Sequence, residues 1–194
     1  VDSCNDFTGI ILAGGQSSRL GQDKGLLNCH GITLAQRAVD ILSCFCTRVI
    51  IITGNPEYKH AQVELVPDII PGKGPLMGLY SGLKASRTAD NLVLAVDNCF
   101  VNADFYTYLL PNIKDYDAVV PGNNGKLEPL VGFYSRRVLP VMDDFIRKNN
   151  YKPPDLLSVI KVNLLKVSED FPSYHENYFK SINLKGDLKL LDNI

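Results

Sequence analysis

Apolar residues along the 194-residue chain fall into short runs divided by polar, glycine-bearing and proline-bearing stretches. Thr8–Ala13, Val49–Thr53, Val63–Val66 and Asn91–Val96 are brief, several of them β-branched, and closed by turn-forming residues, the pattern of buried strands. Between them the period changes. Leu34, Ala38, Ile41, Leu42 and Phe45 recur at helical spacing, and Thr33 stands where its hydroxyl can cap a helix running to about Cys46. After the irregular stretch Pro67–Pro75 a second helix is expected to about Ser86, and a third over Ala103–Leu110. Ala118–Val120 and Pro129–Tyr134 read as strands. The turn signal Gly122-Asn123-Asn124-Gly125 between them predicts a hairpin, and with it one antiparallel strand in an otherwise parallel sheet. Ser135–Lys148 predicts a helix, Asn163–Val167 a strand, and Tyr178–Ile182 a last strand before a closing helix. Strands alternating with helices of this length imply right-handed crossovers and a doubly wound, three-layer α/β/α domain. Nothing along the chain reads as a repeat, a low-complexity tract or a linker, so residues 1–194 are expected to form a single domain.

Composition narrows the function classes. Hydrophobic residues make up 45% and charged residues 21%, enough apolar material for a sizeable core. A net charge of −1 without any basic block argues against a nucleic-acid-binding face. The apolar runs fall far short of the ~20 residues that cross a bilayer. Val1–Thr8 is acidic and polar, unlike a signal peptide. Five scattered cysteines suit free thiols in a reducing compartment, so a cytoplasmic location is expected. Cys44 and Cys46 lack nearby histidines and read as packing residues. His30, His60 and His175 are isolated, and no nucleophile–base pair is apparent.

Ligands of doubly wound sheets bind beyond the carboxyl ends of the strands, which singles out Leu12–Lys24, Thr53–Asn55, Pro67–Gly78, Asp97–Val101 and Asn123–Pro129. In the first of these, Gly14, Gly15 and Gly21 let backbone N–H groups approach a phosphate, and Arg19 and Lys24 supply the cations to neutralise it. The loop is not a Walker loop, which needs Gly-Lys-Ser/Thr, nor a Gly-x-Gly-x-x-Gly dinucleotide fingerprint. Asp97 closes a strand where a carboxylate faces the pocket, and Mg²⁺ needs only one or two carboxylates beside substrate phosphates. Asp68 follows the third strand; as an acceptor it suits the N1–H and amino group of guanine, the ribose, or the metal. Gly72-Lys73-Gly74-Pro75 opens a helix whose amides suit an anion, with Lys73 either a contact or a solvated charge.

Leu12-Ala-Gly-Gly-Gln-Ser-Ser-Arg-Leu-Gly-Gln-Asp-Lys-Gly-Leu-Leu27 resembles the N-terminal signature of the molybdenum cofactor guanylyltransferases (MobA), a family of nucleotidyltransferases with a Rossmann-like sheet. Val66-Pro-Asp-Ile-Ile-Pro-Gly-Lys-Gly-Pro-Leu-Met-Gly78 is similar to the family's second motif, and Glu128-Pro-Leu-Val-Gly-Phe-Tyr134 to its third. The resemblance implies transfer of GMP from GTP to the terminal phosphate of molybdopterin, dependent on Mg²⁺, with release of pyrophosphate. It implies nucleotide contacts at Leu12, Ala13, Gly14, Gly15, Lys24, Asn55, Asp68 and Asp97, the metal on Asp97, and catalytic roles for Arg19, Lys24 and Asp97. Asn183 falls on the acceptor side. The first hundred residues would then hold the nucleotide and the remainder the acceptor, delivered by the enzyme that inserts molybdenum. The sequence departs from the family at Cys99, where proline is usual, at Lys152-Pro-Pro-Asp-Leu-Leu157, which lacks the family's arginine, and at Ser181. Two other readings fit the same residues: transfer from CTP or another triphosphate to a different phosphorylated metabolite, and a nucleotide-binding regulator without turnover.

Overall fold

The protein is seen here as a computed structural model that describes residues 6–14, 22–61, 63–123, 126–167 and 171–193. Gly15, Arg19, Gly21, Cys4, Asn124 and Gly125, all weighed above, lie outside the described residues. In chain order the elements are β1 (Phe7–Leu12), β2 (Asn28–Cys29), β3 (Ile32–Thr33), α1 (Leu34–Ser43), β4 (Arg48–Ile52), β5 (Glu64–Val66), α2 (Pro75–Ala85), β6 (Asp90–Ala95), α3 (Ala103–Leu109), β7 (Ala118–Asn123), β8 (Lys126–Leu127), β9 (Val131–Ser135), α4 (Leu139–Arg147), α5 (Pro153–Leu157) and β10 (Val162–Lys166).

The main sheet runs β10-β7-β9-β6-β1-β4-β5, with β8 attached to β7. On this path β9 alone is antiparallel, paired on one side with β6 and on the other with β7. The sheet is otherwise parallel, as in β1 against β4 (Ile10 beside Ile50) and β1 against β6 (Ile10 beside Val93). Strand periodicity divides the apolar residues between two cores. Phe7, Ile11, Val49, Ile51, Leu92 and Leu94 face α1 and α3. Ile10, Leu12, Ile50, Ile52, Val93 and Ala95 face α2, α4 and α5. Burial on both faces explains why these strands read as unbroken apolar runs. The chain winds outward from β1 through β4 to β5, then returns across the sheet to β6. Opposite winding directions place α1 and α2 on opposite faces, and the order reverses between β1 and β6. That reversal is where a ligand crevice belongs.

Local chemistry sets the ends. Thr33 caps α1 by accepting the Gln36 N–H at 3.1 Å, whereas α2 starts at Gly74 (φ 81°), with Pro75 at its first position. Helix α1 ends at Ser43 rather than Cys46, and the expected Ser135–Lys148 helix begins only at Leu139. Ser135 accepts the Arg137 N–H and opens a 3₁₀ turn there instead. Helix α5 had no counterpart in the sequence reading, its tandem prolines occupying the first turn where they are tolerated. The hairpin of β2 and β3 was likewise unforeseen; His30 and Gly31 both take positive φ in its turn.

The expected strand Tyr178–Ile182 is absent. Tyr178 and Phe179 are neighbours in sequence and both buried in the α1–α3 core, whereas a strand would send them to opposite faces. Tyr178 instead stacks edge-on with Phe171, Phe179 and His175, and its N–H donates to the His175 carbonyl in a turn. The closing helix is a 3₁₀ segment, Lys185–Asn193.

Candidate active site

At the reversal between β1 and β6 a cleft of about 250 Å³ is lined by Leu12, Gly14, Lys24, Asp68, Pro75 and Asp97, among others. It shares Ala13, Gly14, Asp23, Asp68 and Gly74 with a wider hollow of about 530 Å³ that extends over Thr53, Gly54 and Asn55. Leu12, Ala13 and Gly14 continue β1 into the cleft. The Ala13 N–H donates to the Ile52 carbonyl and the Val96 N–H to the Leu12 carbonyl, both at 3.1 Å, so the sheet ladder fixes this backbone.

Asp97 sits in the turn after β6. The neighbouring Asn98 is buried, and its amide donates to the Phe179 carbonyl at 3.1 Å and to the Ser181 hydroxyl at 3.4 Å. Those bonds hold the C-terminal segment against the turn, and the Ile182 N–H adds a third by donating to the Asp97 carbonyl at 3.1 Å. Cys99, in the family's proline position, is a packing residue: it lies with Leu27, Leu34 and Phe100, and burial pushes its thiol up to about 12. Its carbonyl accepts from Arg37 at 3.0 Å.

Lys24 crosses the crevice. Its ammonium lies 2.9 Å from the Asp97 carboxylate and donates to Asn183 Oδ1 at 2.6 Å. Three groups from distant parts of the sequence therefore converge on one point. Asn183 is itself oriented by Asp187, whose carboxylate accepts the N–H groups of Asn183 and Leu184 at 3.0 and 2.8 Å. Those two bonds, with the positive charges of Lys180 and Lys24, hold the Asp187 carboxyl below the usual carboxylate range.

Asp68 occupies the boundary of the two hollows. A Cβ on Gly14 would stand 3.4 Å from its Oδ2, and one on Gly78 would stand 3.7 Å from its Oδ1, so both glycines leave this carboxylate its space. Oδ1 is buried without a hydrogen-bond partner among the described residues. Burial raises the Asp68 pKa above the ordinary carboxylate value. A buried acceptor left unpaired is costly, and Asp68 is thus poised to accept from whatever enters. Its loop is anchored from α2, where the Ser81 hydroxyl accepts the Ile69 N–H at 3.0 Å.

Asn55 lines the wider hollow, but its side chain is engaged at both ends: Nδ2 donates to Asp23 at 3.1 Å and Oδ1 accepts the Glu57 N–H at 3.0 Å. Lys73 points its ammonium over the Tyr151 ring, 5.2 Å from the centroid, linking the loop before α2 to the loop before α5. The Glu128–Tyr134 motif is architectural. Tyr134 is fully buried and donates to the Pro129 carbonyl at 2.6 Å; the Leu130 carbonyl accepts from Ala95 at 3.0 Å and Leu130 lines the cleft. Asp23 counts in the phosphate-loop motif through its place beside Lys24, without a role of its own, while Tyr58 carries no signal in the sequence.

Among the described residues no group of three or more His, Cys, Asp or Glu side chains could hold a metal ion. Asp97 offers hard carboxylate oxygens at the cleft, and one such group beside substrate phosphates suits Mg²⁺. No helix among the described residues is long and apolar enough to cross a membrane.

A probable molybdenum cofactor guanylyltransferase of Clostridium perfringens is 34% identical over 185 residues, covering 94% of this chain and 91% of the relative. One of Carboxydothermus hydrogenoformans is 29% identical over 188 residues, covering 96% and 95%. In fold, the chain is similar to the crystal structure of molybdopterin-guanine dinucleotide biosynthesis protein A from Archaeoglobus fulgidus, with a TM-score of 0.79 at 21% identity over 96% of this chain and 97% of that one. Residues 9–160 match the MobA-like NTP transferase domain, and with the crevice, its lysine and its strand-end aspartate in place, the chain belongs to that family of nucleotidyltransferases.

Proposed function

We propose that this chain transfers GMP from GTP to the terminal phosphate of molybdopterin in a Mg²⁺-dependent reaction, releasing pyrophosphate and forming the guanine dinucleotide. The observation that carries the reading is the meeting of Lys24, Asp97 and Asn183 at the β1–β6 crevice. The relatives described as molybdenum cofactor guanylyltransferases supply the choice of GTP and molybdopterin.

The acceptor's phosphate oxygen attacks the α-phosphorus in line; the bond from that phosphorus to the bridging oxygen breaks, and the electron pair leaves with pyrophosphate. A phosphate monoester is already largely ionised at neutral pH (second pKa about 6), so the chain needs no general base. Its work is positioning and charge stabilisation. Backbone groups of Leu12, Ala13, Gly14 and Gly15 cradle the nucleotide, and Lys24 and Arg19 balance the charge of the departing pyrophosphate. Asp68 accepts from the guanine N1–H and amino group or from the ribose, giving its buried oxygen the donors it lacks. Asn183 holds the acceptor. Asp97 would hold Mg²⁺, which supplies charge neutralisation at the phosphates when bound. The first hundred residues thus serve the nucleotide and the remainder the acceptor, and a cytoplasmic location belongs to the same reading.

The test is pyrophosphate release with molybdopterin and Mg²⁺, comparing GTP, CTP and ATP. Release that requires GTP, acceptor and metal is expected, and chelation of the metal should stop it. Release with CTP instead would replace the nucleotide assignment, and no release with any triphosphate would overturn the reading. Asp97→Asn should lower turnover by about 10²-fold or more while changing stability by less than ~1 kcal/mol, since its ion pair is partly solvated.

A further inference from the structure

The segment between β4 and β5 does more than border the wider hollow. Asp23 Oδ1 accepts the Gly25 N–H at 3.1 Å and also the Tyr58 hydroxyl, while Oδ2 accepts Asn55 Nδ2 at 3.1 Å. One acceptor-only carboxylate therefore gathers three donors, two of them from the segment after β4. Tyr58 is only 1% exposed and packs in the same core as Ala13, Ala38 and Val39. Its ring has no freedom to carry the hydroxyl elsewhere. A Cβ on Gly25 would overlap that hydroxyl, so the turn after Lys24 rests directly on the phenol. The turn closes further with the Leu26 N–H donating to the Asp23 carbonyl and the Leu27 N–H to the Lys24 carbonyl, at 3.2 and 3.1 Å.

Lys24 lies between the two fixed residues. Its side chain is long and rotamer-rich, so the placement of its ammonium depends on where its backbone is held. We propose that Asp23 and Tyr58, with Asn55, form a positioning clamp that sets Lys24 in the crevice. The clamp also answers an electrostatic problem. Asp23 lines both hollows, where an unpaired carboxylate would repel a triphosphate, but its oxygens are turned into three hydrogen bonds. The role assigned to Lys24 rests on the nucleotidyltransferase reading; the clamp itself rests on the geometry.

Tyr58→Phe keeps the ring and removes the hydroxyl. Backbone hydrogen exchange on the protein without nucleotide should then quicken about tenfold or more at Gly25, Leu26 and Leu27, with β1 and α1 unchanged. Unchanged exchange at those three amides would overturn the clamp, whatever the chain's activity. In turnover with GTP, the same variant should lose about tenfold in kcat with less than a threefold change in KM. Tyr58→Phe added to Lys24→Ala should cost nothing further, because a residue acting through Lys24 has no path left. An undiminished tenfold loss in the Lys24→Ala background would assign Tyr58 to general stability and sink the proposal. Failure of the wild-type chain to release pyrophosphate would refute the proposed reaction and leave the exchange experiment to decide the clamp.

Discussion

Asp68 shows how a single residue can set function against stability. Its carboxyl has a raised pKa because burial disfavours the charge. A carboxyl shifted this way stabilises the fold when protonated. Its contribution is fully present below the unfolded pKa of about 3.9 and is lost as pH rises through the higher folded value. At neutral pH the folded chain therefore carries an uncomfortable anion. Asp68→Asn should raise stability slightly at pH 7, by less than ~1 kcal/mol because the group is partly open to solvent, and the thermal midpoint with it. The gain should shrink toward pH 4. Nucleotide affinity should fall in the same variant, and isothermal titration beside a pH series of melting curves checks both halves. A variant no more stable than wild type at pH 7 would show that the anion costs nothing where it stands.

Among the elements, α2 packs directly on the sheet through a glycine. Gly82 lies over Ile10 of β1, and a Cβ there would overlap the Ile10 side chain. Gly82→Ala should cost about 1–3 kcal/mol by overpacking, read from chemical denaturation. Gly54→Ala is the matched control: a Cβ there meets nothing within 4 Å, and stability should barely change. These positions also mark how far sequence reasoning reaches. The parallel strands were legible because burial on both faces writes them as continuous apolar runs; Asp97 was legible because it lies just past such a run, and Lys24 because it belongs to the glycine-rich loop that follows one. Tyr178 and Phe179 misled because aromatic residues are enriched in strands, while their true partners, Phe171 and Phe105, are set by tertiary packing. Tyr58 gave no signal for a related reason: its partner is 35 residues away across the crevice, and nothing local records the contact.

For the molecule as a whole, the C-terminal segment is tied to the sheet through a few polar bonds and an aromatic cluster. Asn98→Ala removes both side-chain bonds to that segment and leaves the Phe179 carbonyl without its donor. The loss should be about 1–3 kcal/mol. Limited proteolysis should cut residues 171–193 sooner in the variant, and equal rates would show that the aromatic contacts suffice alone. The bonds that build the site reach far along the sequence: Lys24 to Asp97 spans 73 residues and Lys24 to Asn183 spans 159. Contacts of such separation carry a large closure entropy and form late in folding. A refolding chain with its sheet complete but its last dozen residues undocked would therefore lack the Asn183 partner of Lys24. On the proposed reading Asn183 meets the acceptor, so acceptor binding draws the folding equilibrium toward completion, and a tenfold excess over its dissociation constant adds about 1.4 kcal/mol to stability. Acceptor retention is thus a proofreading signal for this fold: a preparation that binds it has placed its two ends correctly, and one that is merely helical and soluble has not.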